Sequence, residues 1–206
     1  MSIYALKPRF QGLLRPLTGG LFRMGVTANQ VTVAACVVSV VLGAALSARP
    51  KASWSFLLVP VWLFLRMAFN AVDGMLAREF GQASALGAYL NELTDVISDA
   101  ALYLPFALLP GSSSWLVGAI IALAITSEMA GVLGVMVGAS RRYDGPMGKS
   151  DRAFVFGLLG LLVGLAVPLG SVLDWIWAAV AALIVFTIVN RIRHGLAERK
   201  RLAGVS

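Results

Sequence analysis

Asp73, Gly74, Ala77, Arg78, Gly87 and Asp95 stand at spacings that can assemble a cation site. As a pattern they read Asp-Gly, two residues, Ala-Arg, eight residues, Gly, and then polar residues at steps of four. The stretch lies where one strongly apolar segment ends and the next begins. An acid at membrane depth is costly, so its presence there points to function. Asn91, Asp95 and Asp99 fall on one helical face, because residues four apart stack above one another. Asp73 is expected to close the preceding helix, and the connection after it can bring it opposite that face. Carboxylates converging from two helices suit a hard divalent cation, Mg²⁺ or Mn²⁺, which takes oxygen ligands and substrate phosphates.

The elements that must position these residues are apolar. Of the 206 residues, 59% are hydrophobic and only 13% charged, which excludes an ordinary soluble core and predicts an all-α integral membrane bundle. Six transmembrane helices are expected at about 27–48, 54–74, 86–110, 114–138, 153–172 and 174–192, each near the ~20 residues that cross a bilayer. The chain reads as one domain over 1–206, with a cytoplasmic juxtamembrane segment at 1–26 and a basic cytoplasmic tail at 193–206. Residues 1–26 lack a clean apolar core and are not expected to be a cleaved signal. Leu6, Phe10, Leu13, Leu14, Leu17, Leu21 and Phe22 recur at roughly helical spacing around Arg9 and Arg15, which predicts an amphipathic surface helix. Pro8 and Pro16 argue against its being uninterrupted. The single Cys36 excludes an internal disulfide.

Charge placement orients the bundle. Fourteen of the 17 Lys and Arg residues fall before the first span, in the second and fourth connections, or after the last span. Only Arg49 and Lys51 fall on the other side, and Arg66 lies within a span. Positive residues stay inside, so both termini and the Asp73–Asp95 stretch are expected in the cytoplasm. Anionic lipid accounts for the basic ends, and no nucleic-acid partner is needed.

The Asp73–Asp95 stretch resembles the signature of the CDP-alcohol phosphotransferase (CDP-alcohol phosphatidyltransferase) family, Asp-x-x-Asp-Gly-x-x-Ala-Arg-x8-Gly-x-x-x-Asp-x-x-x-Asp. Six positions match with the family spacing. Asn70 and Asn91 stand where the signature has its first and third aspartates. Thr27-Ala28-Asn29-Gln30-Val31-Thr32 also resembles the start of the family's first membrane helix, with Ala28 in place of proline. The resemblance implies transfer of a phosphatidyl group from CDP-diacylglycerol to a small alcohol, with release of CMP and dependence on Mg²⁺ or Mn²⁺. It implies metal ligands at Asp73, Asp95, Asn70 and Asn91, with Asp95 as general base. It implies nucleotide contacts at Asn29, Gly74, Ala77, Arg78 and Gly87, and a homodimer.

Each assignment has a plainer competitor. Asp73 could be a helix-end carboxylate satisfied by water. Arg78 could hold a phosphate, pair with Asp73, or sit solvated in a loop. Asp95 could be a structural acid paired with Arg66 or Arg78. Asn29 could be a helix cap. Tyr89 and Tyr103 read as packing or interfacial residues, and His194 as solvated. An asparagine offers a cation one neutral oxygen and cannot act as a base. The two amides therefore leave three arrangements open: weaker metal binding, a single metal, or compensation by Glu92 and Asp99. Arg66 shares a face with Asn70 and Asp73 and can take up part of a metal's space and charge.

The acceptor is the least legible part. No Lys or Arg lies between Arg78 and Arg141. Glu128, an acid in the fourth span, is expected to line the cavity and could bind hydroxyls. Arg141, Arg142, Lys149 and Arg152 are a cationic reserve for a phosphorylated acceptor or the CDP phosphates, or simply a solvated loop. The reading favours an uncharged or amino alcohol such as glycerol, with glycerol 3-phosphate second. A catalytically weak member that binds nucleotide-lipid is the alternative. A small transporter is disfavoured, because the acids cluster at one end and no internal repeat is visible.

Overall fold

A computed structural model describes residues 6–170 and 172–204, with side chains from residue 10 onward. The expectations for the side chains of Leu6, Lys7, Pro8 and Arg9 therefore fall outside the described residues. Among the described residues there are seven α-helices and no strand. They are α1 (Leu6–Arg23), α2 (Ala28–Ala48), α3 (Leu58–Glu79), α4 (Ala85–Tyr103), α5 (Ser114–Met136), α6 (Lys149–Gly164) and α7 (Val172–Leu202). Short 3₁₀ turns at Ser53–Leu57 and Leu104–Leu108 extend the start of α3 and the end of α4.

Local chemistry starts the helices. Thr27 caps α2 by accepting from the Gln30 N–H, while Gln30 reaches back to the Thr27 N–H, so two orphan donors are satisfied together. Ser84 caps α4 by accepting from the Gly87 N–H at 2.9 Å. Asp151 in the first turn of α6 accepts from the Gly148 N–H at 2.9 Å. At the end of α5, Gly138 takes φ +83°, which a side chain would resist, and the Ala139 N–H closes on the Gly134 carbonyl.

The helices run up and down. Gly164 packs on Leu57, Gly111 on Gly170, and Asp174 accepts from Ser113, so these connections share one end of the bundle. Near that end an aromatic core forms: Tyr103 stacks on Phe156 at 3.7 Å, and Phe56, Phe106 and Trp177 pack edge-on or stacked around them. Tyr103 is thus a packing residue. Trp54, Trp115 and Trp175 are exposed at this same end, as an interfacial belt requires. Lipid gives apolar side chains no reason to leave it, so close backbone approach carries the packing. At Gly43 of α2 a Cβ would lie 2.1 Å from the Ala101 carbonyl of α4, and only glycine permits that crossing.

Four segments are long and apolar enough to cross a membrane by length and composition: Ala28–Ala48, Ser53–Glu79, Ser114–Met136 and Val172–Leu202. The other two expected spans correspond to α4, which carries Glu92, Asp95 and Asp99, and α6, which has 16 residues and opens on Lys149, Asp151 and Arg152. Both helices carry charged groups of the network between the helices.

Three boundaries differ from the expectation. Asp73 does not close its helix, since α3 continues to Glu79. The helix of the fifth expected span, α6, begins at Lys149 rather than near 153, because Asp151 caps its first turn. The basic tail is helical: α7 runs 31 residues, or about 46 Å at 1.5 Å per residue, well beyond a ~30 Å hydrocarbon core. The amphipathic helix also differs in continuity, since α1 is a single helix with Pro16 inside it. A proline there removes one backbone bond, and tertiary contacts offset the loss. Leu14 and Leu21 pack on the Ala28, Val31, Val72 and Leu76 cluster, Arg15 pairs with Glu79, and Leu13 and Leu17 stay exposed.

Candidate active site

α2 packs against both α3 and α4, and α6 packs against α3. Asp73 and Asp95 approach one another between these helices. Asp73 is buried on α3, and the Thr32 hydroxyl of α2 donates to its Oδ2 at 2.7 Å. Its side-chain partner among the described residues is therefore a threonine of the Thr27–Thr32 motif. On α4, Asp95 Oδ1 accepts from Arg66 Nη2 at 3.1 Å, and Asp95 Oδ2 is ion-paired with Lys149. Arg66 also donates to the Asp95 carbonyl and, through Nη1, to Asp99. Asp73 and Asp95 lie within electrostatic reach of one another and of Lys149.

A buried network continues from there. Asp99 Oδ2 pairs with Arg152 at 3.2 Å, and Arg152 pairs with Glu128 Oε1 at 2.9 Å. Glu128 Oε2 lies 3.4 Å from both Arg141 and Arg191, and Arg141 pairs with Glu92 at 2.6 Å. Arg191 also donates to the Ser127 and Asp144 carbonyls, tying α7 to α5 and to the loop before α6. Five acids (Asp73, Glu92, Asp95, Asp99 and Glu128) are thus gathered with five cations (Arg66, Arg141, Lys149, Arg152 and Arg191). Such groups need partners, because an unpaired buried charge costs several kcal/mol.

The remaining positions sort as follows. Asn29 does not cap α2, since Thr27 does. Its amide instead covers Gly87, where a Cβ would lie 2.9 Å from Asn29 Oδ1, so Gly87 makes room for Asn29. Arg78 folds back over Gly74, where a Cβ would lie 2.7 Å from its Nη2. Ala77 packs on the Ala28–Leu76 cluster. Glu92 and Asp99 are spent on Arg141 and on Arg66 with Arg152. The cationic reserve divides. Lys149 and Arg141 reach the site and Arg152 is fully buried, whereas Arg142 turns away to Asp144 and Glu198. There its guanidinium holds the Asp144 carboxyl below the usual carboxylate range. His194, exposed, lies 3.2 Å from Asp144.

Thr32 and Arg191 are members of this site that residue spacing did not single out. Arg191 falls at the end of the last expected span, 174–192, and is 2% exposed.

Metal capacity follows from the donors. Among the described residues no three of the His, Cys, Asp and Glu side chains form a metal cage. Both oxygens of Asp95 carry protein cations. Asp73 has one oxygen without a side-chain donor among the described residues. Mg²⁺ commonly binds one or two carboxylates and completes its shell with water and substrate phosphates, so this donor set fits one ion.

Comparison with known proteins agrees with the geometry. The profile described as CDP-alcohol phosphatidyltransferase matches residues 25–189, which include every signature position. The chain is 46% identical over 198 residues to the Inner membrane protein YnbA of Escherichia coli, covering 95% of this chain and 97% of that protein. It is 30% identical over 200 residues to a phosphatidylinositol phosphate synthase of Mycobacteroides abscessus, covering 93% and 87%. It is 27% identical over 205 residues to one from Corynebacterium glutamicum, covering 93% and 87%. With the signature residues gathered on facing helices and the family profile spanning most of its length, the chain belongs to the CDP-alcohol phosphatidyltransferase family, a family of phosphotransferases.

Proposed function

We propose that this protein is a multi-pass enzyme of a bacterial inner membrane that transfers the phosphatidyl group of CDP-diacylglycerol to a small uncharged alcohol, releasing CMP. The observation that carries the reading is a groove of about 570 Å³ between α3 and α6. Its head is formed by Arg66, Asn70 and Lys149, and its length by apolar side chains including Leu63, Phe64, Leu158 and Leu161. A charged head continuous with an apolar trough matches a lipid nucleotide better than a soluble substrate.

The roles follow from position. Asp73, with the amide oxygens of Asn70 and Asn91, would hold a divalent ion, which when bound neutralises phosphoryl oxygens and the leaving phosphate. Asp95 takes the proton as the alcohol oxygen attacks the phosphatidyl phosphorus and the bond to CMP breaks. Two engaged oxygens do not prevent this, since a carboxylate has about four lone-pair sites. Asn29 and Gly87 border the cytidine, and Arg78 the pyrophosphate.

The acceptor reading rests on charge. Arg141, Arg152 and Arg191 all converge on Glu128, so the place best suited to an acceptor phosphate already holds a carboxylate. A neutral polyol such as glycerol can bind these groups without displacing it. A phosphorylated acceptor, as the name of the phosphatidylinositol phosphate synthases would suggest for them, must compete with it. The test is a panel of alcohols given to the purified protein with labelled CDP-diacylglycerol, each lipid product identified by mass. Glycerol should be preferred over glycerol 3-phosphate, and Glu128→Gln should shift preference towards the phosphorylated acceptor. A wild-type preference for phosphorylated acceptors would overturn the assignment.

The orientation is part of the proposal. With α4 and α6 crossing, six spans place both termini and the site on the cytoplasmic side, as the distribution of Lys and Arg favours. Reporter fusions after Leu109 and after Ser140 should report opposite compartments, with the first outside. Matching compartments would contradict six spans.

A further inference from the structure

We propose that the Lys149 ammonium takes the place that a second divalent ion would otherwise occupy, so that the donor pyrophosphate is held by one metal and one lysine. This rests on the donor reading above. Three observations lead to it. Two of the four acidic signature positions are amides, so the site has lost two formal negative charges at Asn70 and Asn91. Lys149 is ion-paired with Asp95 Oδ2, the oxygen that a second metal would need, while Arg66 holds Oδ1. Lys149 also lines the head of the α3–α6 groove beside Asn70, where the donor phosphates would enter.

The charges are consistent with this. A second divalent ion on Asp95 would sit beside an ammonium and a guanidinium with no further acid to balance it, because Glu92 and Asp99 are committed to arginines. A lysine carries one charge on a flexible stem with three donors. It can rest on Asp95 when the groove is empty and turn to a phosphoryl oxygen when the donor arrives. That movement also frees Asp95 Oδ2 for the alcohol proton. Lys149 is the first residue of α6, so its backbone is fixed by the Asp151 cap while its side chain stays partly exposed.

The test counts metal and measures nucleotide affinity, using Mn²⁺ with CDP as the soluble probe and electron paramagnetic resonance as the readout. The wild type should bind one Mn²⁺ per chain in the presence of CDP. Lys149→Met should weaken CDP at least about tenfold, the loss expected for one charge-assisted contact, and Lys149→Arg should retain most of the affinity. Combining Asn70→Asp, Asn91→Asp and Lys149→Met should raise the count to two. Two Mn²⁺ per wild-type chain, or unchanged CDP affinity in Lys149→Met, would overturn the role of Lys149 while leaving the donor reading intact. No CDP-dependent Mn²⁺ binding by the wild type would overturn the donor reading, and this proposal with it.

Discussion

Asp95→Asn should lower the rate of phosphatidyl transfer by about 10²–10⁴-fold, the usual contribution of a positioned general base. An amide keeps an oxygen for Arg66 but cannot take the alcohol's proton. The replacement is nearly isosteric, and Asp99 still anchors Arg66, so the fold should survive. CDP binding by the purified variant should stay within a few-fold of the wild type while CMP release is lost. Near-normal turnover would show that Asp95 is a structural acid held by Arg66 and Lys149, the competing assignment for this residue.

Arg152→Met should be the most destabilising single change outside the aromatic core. Arg152 is 0% exposed and joins Asp99 to Glu128. Removing it leaves one uncompensated negative charge shared by two carboxylates. Breaking a buried ion pair costs 3–5 kcal/mol, and about 3 kcal/mol is expected here, because Asp99 keeps Arg66 and Glu128 keeps Arg191. Adding Glu128→Gln should recover part of the loss, since the surplus charge goes with it. Equilibrium unfolding in detergent or bicelles measures both. A loss no larger in the single variant than in the double would mean that Arg152 is not charge-compensated by Glu128.

The parts of the site legible from the chain are those that repeat along one helix. Asn91, Asp95 and Asp99 share a face by their spacing, and so do Arg66, Asn70 and Asp73. The pairing of Arg66 with Asp95 across α3 and α4 was one of the competing assignments for Asp95, and the structure contains it. Contacts between distant segments were not legible. Arg191 reaches the Ser127 carbonyl across 64 residues of chain, and nothing in the periodicity of α7 distinguishes it from Arg193 or Arg199. Hydropathy is also a poor guide to the start of α6. It treats Lys149 and Arg152 as loop residues, whereas their charges are buried or paired within the bundle. Hydropathy likewise ends α3 at Asp73, although Thr32 allows the carboxylate to sit inside a helix that runs on to Glu79.

On the proposed function, the groove between α3 and α6 delivers CDP-diacylglycerol to Asp73 and Asp95. The most direct measurement is CMP release from CDP-diacylglycerol by the purified protein in lipid, with glycerol as acceptor and Mg²⁺ or Mn²⁺ supplied. Release of CMP that requires the alcohol and is lost in Asp73→Ala and Asp95→Asn is the predicted result. No CMP with any alcohol, from protein that still binds the lipid nucleotide, would contradict it and leave a family member that binds its donor without transferring it.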